Sequence, residues 1–152
     1  MLLYRVARAR YASDLSGEGA RLNGGRWNSP GTACLYTSGN AALAVLEFAV
    51  QFTLEDMPED LVVVQLELPD DEPIRKPYDN SLPTFWHRNG IDQETREFGD
   101  KLLRHGDHLG IRVPSAVVPF ETNVVLRPSS PRFATVRIRE QRPLRIDSRL
   151  KR

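Results

Sequence analysis

Residues 21–47 read RLNGGRWNSPGTACLYTSGNAALAVLE. The glycine-rich beginning of this stretch predicts a loop, the short apolar middle predicts a strand, and the alanine- and leucine-rich end predicts a helix. Three side chains stand out in it: Arg26 after two glycines, Tyr36 at the end of the strand, and Glu47 in the helix. One loop–strand–helix unit that brings these three together suits an anionic ligand with a planar group and a cationic reaction centre.

The length and composition predict one domain that spans residues 1–152. The net charge of +1 gives no reason to expect nucleic acid or an anionic membrane as the main partner. The N-terminus lacks the apolar stretch of a signal peptide, and no segment approaches transmembrane length, so we expect a cytoplasmic protein. The basic tail from Arg142 to Arg152 is interpreted as a solvated surface or interface segment rather than as a nucleic-acid-binding arm.

The cysteine and histidine residues predict neither a disulfide framework nor a metal site. Cys34 is the only cysteine, and its place in a predicted strand favours a small core residue over a catalytic thiol. His87, His105 and His108 do not match the spacing of a zinc enzyme.

Predicted strands outnumber predicted helices, and most successive strands lack a crossover helix, which favours an α+β fold with a mostly antiparallel or mixed sheet. The predicted strands are Leu2–Ala7, Ala33–Thr37, Leu61–Leu68, Ile111–Val118 with an interruption at Pro114, Thr122–Leu126 and Phe133–Arg139. The predicted helices are Ala41–Leu54, capped by Ser38 or Asn40, and Asp92–Arg104. Residues 11–32 are predicted to be a long structured loop, residues 69–83 a proline-rich connection and residues 128–131 a turn.

Glu47 is the only charged residue in the segment AALAVLEFAVQFTL, residues 41–54. Both faces of this helix are apolar, so we expect it to be buried on most sides, with Leu43, Leu46, Val50 and Leu54 on the face of Glu47 and Ala41, Phe48 and Phe52 opposite. A buried, unpaired carboxylate is costly, so Glu47 needs a partner or a function. It either belongs to a functional site or forms a buried ion pair with Arg26 that only supports the fold.

The loop before the strand has a functional and a structural interpretation. Gly24 and Gly25 let the backbone approach a ligand and adopt positive φ, and Arg26 beside them suits a phosphate or diphosphate. Alternatively, the Asn-Gly pair is an ordinary turn and Trp27 anchors the loop in the core.

Three further polar residues are candidates for ligand contacts. Tyr36 either stacks on an aromatic ligand or packs in the core. Ser115 lies in VPSAVVP rather than in a Gly-x-Ser-x-Gly elbow, so we predict a hydrogen-bonding role instead of a nucleophile. Asn123 is a second candidate donor to a ligand, and both residues also suit turns and strand edges.

With these residues in place, the chain resembles the RES-domain family, toxins of bacterial toxin–antitoxin pairs that share an arginine, a glutamate and a serine. The matching segments are YRV at 4–6, GGRWN at 24–28, LY at 35–36, ALAVLE at 42–47, TREFGD at 95–100, PSAVVP at 114–119, NVVLRP at 123–128 and SPRF at 130–133. Their order and spacing, more than any one motif, carry the resemblance.

The resemblance implies a fold like that of the ADP-ribosyltransferases, which bind NAD across a split sheet. It implies that NAD is a substrate, with no prosthetic group, and that the nicotinamide–ribose bond is cleaved by hydrolysis or phosphorolysis. Protein ADP-ribosylation and a non-catalytic NAD-binding module are the alternatives. The implied partner is a separately encoded Xre-like helix-turn-helix antitoxin that covers the active site, and a homodimer is compatible with the exposed strand edges.

The resemblance also implies roles for particular residues. Glu47 would stabilise the oxocarbenium-like transition state or hold the ribose 2′-hydroxyl, and Arg26 would bind the diphosphate. Tyr36 would stack on nicotinamide, and Ser115 would orient the carboxamide or the ribose. The remaining NAD contacts expected are a second phosphate contact from Arg5, a hydrogen bond from Asn123 and a close backbone approach at Gly25.

Overall fold

A computed structural model of the chain describes residues 1–53, 55–77, 79–147 and 149. These residues contain seven strands: β1 Leu2–Arg8, β2 Leu35–Ser38, β3 Leu61–Glu67, β4 Ile74–Arg75, β5 Gly110–Pro114, β6 Thr122–Leu126 and β7 Arg137–Leu144. They form one sheet in the order β4-β5-β6-β2-β1-β3-β7, in which only β4 and β5 pair in parallel. The predicted α+β class with a mixed, mostly antiparallel sheet is therefore confirmed.

The sheet narrows where β2 meets β1. The register between these two strands contains one residue pair, Tyr4 with Ser38, whereas β1 and β3 pair along their whole length. The sheet thus consists of two halves, β4-β5-β6-β2 and β1-β3-β7, that are joined at Ser38. This arrangement agrees with the expected split sheet.

In the described part of the chain, three helices flank the sheet: α1 Glu18–Asn23, α2 Ala41–Ala49 and α3 Gln93–Arg104. Of the two predicted caps for α2, Asn40 is the one used, since its side chain accepts a hydrogen bond from the Leu43 amide at 2.8 Å. Asp92 caps α3 in the same way through Thr95. None of the helices in the described part of the chain has the length and apolar character needed to cross a bilayer.

Two helix predictions need correction. Helix α2 ends at Ala49 rather than at residue 54, because the next amides turn back to Phe48 and Ala49 in tighter turns; Leu54 itself lies outside the described residues. Helix α1 lies inside the predicted loop. It has only six residues, and its N-cap is Gly17, with positive φ and no capping side chain, so the sequence carries little signal for a helix here.

Three strand predictions also need correction. β5 ends at Pro114 instead of continuing to residue 118, since the following residues fold into a turn around Ser115. β7 begins at Arg137 because residues 131–135 form a 3-10 turn capped by Ser130, and it runs to Leu144, past the predicted end at Arg139 and into the first residues of the basic tail. The short strand β4 lies within the predicted proline-rich connection.

Apolar side chains pack on both faces of the sheet. One cluster joins the two halves and contains Leu3, Leu35, Val64, Leu66, Val124 and Leu126. The other lies between the sheet and α3 and contains Trp27, Cys34, Leu102, Leu103, Ile111, Val113 and Val125. Cys34 is a buried core residue, as predicted, and its burial raises the pKa of its thiol to about 12.

Candidate functional site

Glu47, Ser115 and Asn123 meet at one point although they lie on different parts of the chain. The Glu47 Oε1 atom accepts a hydrogen bond from Ser115 Oγ at 2.6 Å and another from Asn123 Nδ2 at 2.5 Å. Glu47 comes from α2, Ser115 follows β5, and Asn123 lies on β6. The structure therefore brings together three of the predicted site residues.

Glu47 is half-buried rather than fully buried. The predicted burial of α2 on most sides is wrong, because Ala42 is exposed and the Val50 side chain at its C-terminal end is 62% exposed. None of the described residues donates a hydrogen bond to Oε2 of Glu47. One oxygen of the carboxylate is thus held by protein donors, and the other is available to a ligand.

Ser115 uses all of its hydrogen-bonding capacity within the protein. It is fully buried, and its Oγ accepts the Val117 and Val118 amides at 3.1 and 2.9 Å while it donates to Glu47. A hydroxyl has one donor and two acceptor positions, so none remains for a ligand. Ser115 therefore positions Glu47 in this geometry, whereas the resemblance implied a direct contact with the carboxamide or ribose.

Arg26 contacts neither oxygen of Glu47 in the described structure. Its Nη1 donates to the carbonyl oxygens of Trp86 and Arg88 at 2.6 and 2.7 Å. The alternative of a buried Arg26–Glu47 ion pair is therefore wrong. Nε and Nη2 donate to no acceptor within the described residues, so the guanidinium keeps donors for an anion.

Tyr36 organises the GGRWN loop through its hydroxyl. Its Oη donates to Asn28 Oδ1 at 2.8 Å and accepts from the Trp27 amide at 2.9 Å. Burial is the main cause that raises the pKa of this phenol well above its usual value, so it stays a neutral donor. Tyr36 as a residue is half-buried and packs against the apolar cluster between the sheet and α3, as the core alternative predicts, and its stacking on a ligand stays a prediction.

Gly25 is required for a close approach within the protein. A Cβ on Gly25 would lie 2.6 Å from the Tyr36 hydroxyl oxygen, so no side chain fits without movement. Its amide donates to the Asn28 carbonyl, and its carbonyl accepts from Arg96 at 2.9 Å. Both backbone groups of Gly25 thus make contacts that shape the loop, and its expected contact with a ligand stays a prediction.

Arg5 points away from Glu47. Paired residues of an antiparallel ladder project to the same face, so Tyr4, Ser38 and Asn123 share the face of the site. Successive residues of a strand project to opposite faces, so Arg5, which follows Tyr4, lies on the other face of the sheet. There it pairs with Val64 of the cluster that joins the two halves, and it donates a hydrogen bond to the Asp14 carbonyl at 2.8 Å. Burial is the main cause that lowers its pKa. We therefore leave Arg5 out of the proposed ligand contacts.

The sequence analysis missed the role of Ser38, which it treated only as a possible helix cap. Its Oγ donates to Asn123 Oδ1 at 2.7 Å, on the side of the amide away from Glu47. A serine at the end of a strand gives no sequence signal for such a contact.

Among the described residues, no group of three or more His, Cys, Asp or Glu side chains is placed to hold a metal ion. The ring of His108 is buried, and its Nε2 donates to the Leu102 carbonyl at 2.9 Å.

Residues 2–147 match the model of the RES domain family. Toxin Res of Photorhabdus laumondii is 34% identical over 134 residues, which cover 88% of this chain and 85% of that protein. The Prs ADP-ribosylating toxin of a Sphingobium species is 33% identical over 148 residues, which cover 95% and 91%. The crystal structure of the M. tuberculosis MbcT–MbcA toxin–antitoxin complex has a similar fold, with a TM-score of 0.71 at 20% identity, over 94% of this chain and 83% of that one. From the family match and the two relatives, we conclude that this chain belongs to the RES domain family.

Proposed function

We propose that this chain is a bacterial toxin that cleaves the nicotinamide–ribose bond of NAD, with Glu47 as the catalytic carboxylate. The observation that carries the proposal is the state of Glu47: Oε1 is held by Ser115 and Asn123, and Oε2 is left for a ligand. The names of the relatives support the toxin assignment, since Toxin Res is among them.

Cleavage of this bond develops positive charge on the ribose, and a nearby carboxylate stabilises such a charge. As the bond between the nicotinamide nitrogen and the ribose C1′ breaks, its electron pair stays on nicotinamide, and positive charge develops on the ribose. A fixed carboxylate beside the ribose stabilises that charge and needs no reorganisation as the charge forms. Nicotinamide leaves as a neutral molecule, so no general acid is required.

The acceptor completes the reaction in one of two ways. Water adds to the ribosyl cation and loses a proton, which gives ADP-ribose. Inorganic phosphate adds instead in phosphorolysis and gives ADP-ribose 1″-phosphate. In both cases we assign the diphosphate of NAD to the free donors of Arg26, and we assign the nicotinamide ring to the face of Tyr36.

A protein side chain is the second candidate acceptor. The Sphingobium relative is called an ADP-ribosylating toxin, and its match covers nearly the whole of this chain. In that case the same bond breaks and Glu47 keeps its role, but ADP-ribose is transferred to a protein nucleophile that loses a proton. Labelled NAD would then mark a discrete cellular protein, with little free ADP-ribose.

We also propose that a separately encoded antitoxin with a helix-turn-helix domain binds this chain and covers Glu47, and that the toxin acts in the cytoplasm, as a homodimer within the complex. The similar fold in a toxin–antitoxin complex supports the kind of partner. Sedimentation analysis of the chain, alone and with its co-purified partner, measures the number of copies of this chain and of the antitoxin in the complex. A monomeric chain in that complex would overturn the homodimer.

The proposal is tested by incubating the purified chain with NAD, with and without inorganic phosphate, and identifying the products. We expect nicotinamide release, and we expect Glu47→Gln to lower kcat at least hundredfold, or about 2.7 kcal/mol of transition-state stabilisation. Glu59→Gln is the matched control because Glu59 is an exposed carboxylate on the same chain. Absence of nicotinamide release by the wild-type chain, or wild-type turnover in Glu47→Gln, would overturn the assignment.

A further inference from the structure

Ser38 occupies a special place in the fold. It is the last residue of β2, the only residue of that strand in register with β1, and 3% exposed. Its Oγ donates to Asn123 Oδ1 at 2.7 Å, and the amide nitrogen of Asn123 donates in turn to Glu47 Oε1. A hydrogen-bonded chain therefore runs from the junction of the two half-sheets to the carboxylate.

The direction of this chain matters because the two ends of an amide are different. The Glu47 carboxylate only accepts hydrogen bonds, so Asn123 must present its NH₂ group to it. If the amide turned over, Oδ1 would face Oε1 and two acceptors would repel each other. The hydroxyl of Ser38, by donating to Oδ1, stabilises the orientation in which Nδ2 points at Glu47.

We infer that Ser38 is a positioning residue: it fixes the Asn123 amide so that Glu47 is held through Oε1 and presents Oε2 to the ribose. This inference rests on the proposed cleavage of NAD and adds to it a residue that acts through Asn123. The other donor to Oε1 is fixed in a comparable way, since the amides of Val117 and Val118 donate to Ser115 Oγ. Glu47 is thus approached by two donors whose own orientations are set by neighbouring groups.

Loss of the Ser38 hydrogen bond should affect kcat more than KM. The ribose becomes cationic only in the transition state, so a misaligned Glu47 loses transition-state stabilisation without a matching loss of substrate binding. Ser38→Ala removes one hydrogen bond of the chain, and we expect kcat to fall about tenfold while KM for NAD changes less than about twofold.

Thr37→Val is the matched control. Thr37 is also 3% exposed, and its Oγ1 donates to the Val124 carbonyl at 2.6 Å on the other face of β2. This substitution removes a buried hydroxyl from the neighbouring residue without touching Asn123, so we expect a similar loss of thermal stability and an unchanged kcat. An equal loss of kcat in both variants would overturn the positioning role of Ser38.

A double-mutant cycle tests whether Ser38 acts through Asn123. In the Asn123→Ala background there is no amide to orient, so Ser38→Ala should lower kcat no further. If Ser38→Ala has the same effect with and without Asn123, the inference is wrong.

An NMR measurement separates failure of this inference from failure of the proposed function. The side-chain NH₂ resonances of Asn123, identified by their loss in Asn123→Asp, should shift or broaden in Ser38→Ala and stay unchanged in Thr37→Val. This result holds even if the wild-type chain releases no nicotinamide, in which case only the function is overturned. Unchanged resonances in Ser38→Ala would overturn the role of Ser38, whatever the activity.

Discussion

Ser115 shows how a buried hydroxyl serves a site without touching the ligand. Its two acceptor positions are filled by backbone amides that follow it in the chain, so its proton is directed at Glu47. The turn that follows β5 therefore also orients the Ser115 hydroxyl toward Glu47. The same residue stabilises the fold and fixes the carboxylate, and these two contributions are separable by experiment.

Replacing Ser115 with alanine should lower both activity and stability. The change removes a donor to Glu47 and leaves two amides without their acceptor, so we expect a kcat loss of ten- to hundredfold and a loss of about 1–2 kcal/mol in unfolding free energy. Steady-state kinetics with NAD and urea denaturation measure the two effects.

The control for Ser115→Ala is Ser130→Ala. Ser130 is also buried, and its side chain accepts the Arg132 amide at the start of another turn. This control should cost similar stability and leave kcat unchanged. If Ser115→Ala keeps full activity, the hydrogen bond to Glu47 is not needed for catalysis.

The sequence identified Glu47, Ser115 and Asn123 as separate candidates but did not predict that they touch. Glu47 is 68 residues from Ser115 and 76 from Asn123, and contacts over such separations depend on how the sheet is assembled. An ion pair of Glu47 with Arg26 was an alternative because a buried carboxylate needs a partner, and the structure gives the two residues different partners.

At the scale of elements, helix α3 holds the loop that carries Arg26. Its motif TREFGD places three contacts on that loop: Arg96 donates to the Gly25 carbonyl, Asp100 accepts the Ser29 amide, and Gly99 faces the Trp27 carbonyl. The ring of Phe98 also lies 6.3 Å from that of Trp27. The position of Arg26 is thus set by a helix distant in sequence.

A methyl group on Gly99 should break this contact. Its Cβ would lie 1.9 Å from the carbonyl oxygen of Trp27, and a backbone atom cannot move aside as a side chain can. We expect Gly99→Ala to lower the unfolding free energy by about 3 kcal/mol, measured by urea denaturation. Gly19→Ala is the control: it lies in helix α1 with nothing near its Cβ position, and we expect a gain of up to about 1 kcal/mol. A Gly99→Ala variant as stable as the wild type would show that α3 and the loop are not packed this tightly.

Element boundaries were predicted least well where side chains compete with regular structure. β5 ends before Ser115, and β7 begins only after the turn at Ser130. In both places the serine hydroxyl accepts a hydrogen bond from a nearby backbone amide, which competes with the backbone hydrogen bonds of the sheet. The apolar pattern of α2 continues beyond its end at Ala49, so periodicity alone predicted too long a helix. The strands β1, β3 and β6, which carry β-branched or alternating patterns, were predicted within one residue of their ends.

At the scale of the whole molecule, the narrow junction at Ser38 does not make two independent units. The cluster with Leu3, Val64 and Leu66 from one half-sheet also contains Leu35, Val124 and Leu126 from the other. Because burial on that face needs both halves, each half loses apolar contacts when the other unfolds. The site on the opposite face therefore depends on the packing of the whole sheet.

A core substitution in one half should consequently destabilise the other half to the same extent. Leu66 lies on β3 and is fully buried, and Leu66→Ala should cost about 2–5 kcal/mol. Trp27 and Trp86 report on the second cluster, beside the other half-sheet, so their fluorescence and the far-ultraviolet circular dichroism should show the same, lowered urea midpoint. Leu22→Ala is the control, because Leu22 is 60% exposed and its loss should leave the midpoint nearly unchanged. If the circular dichroism midpoint falls in Leu66→Ala while the tryptophan midpoint stays in place, the two half-sheets unfold separately. Ser38 would then join two units of unequal stability.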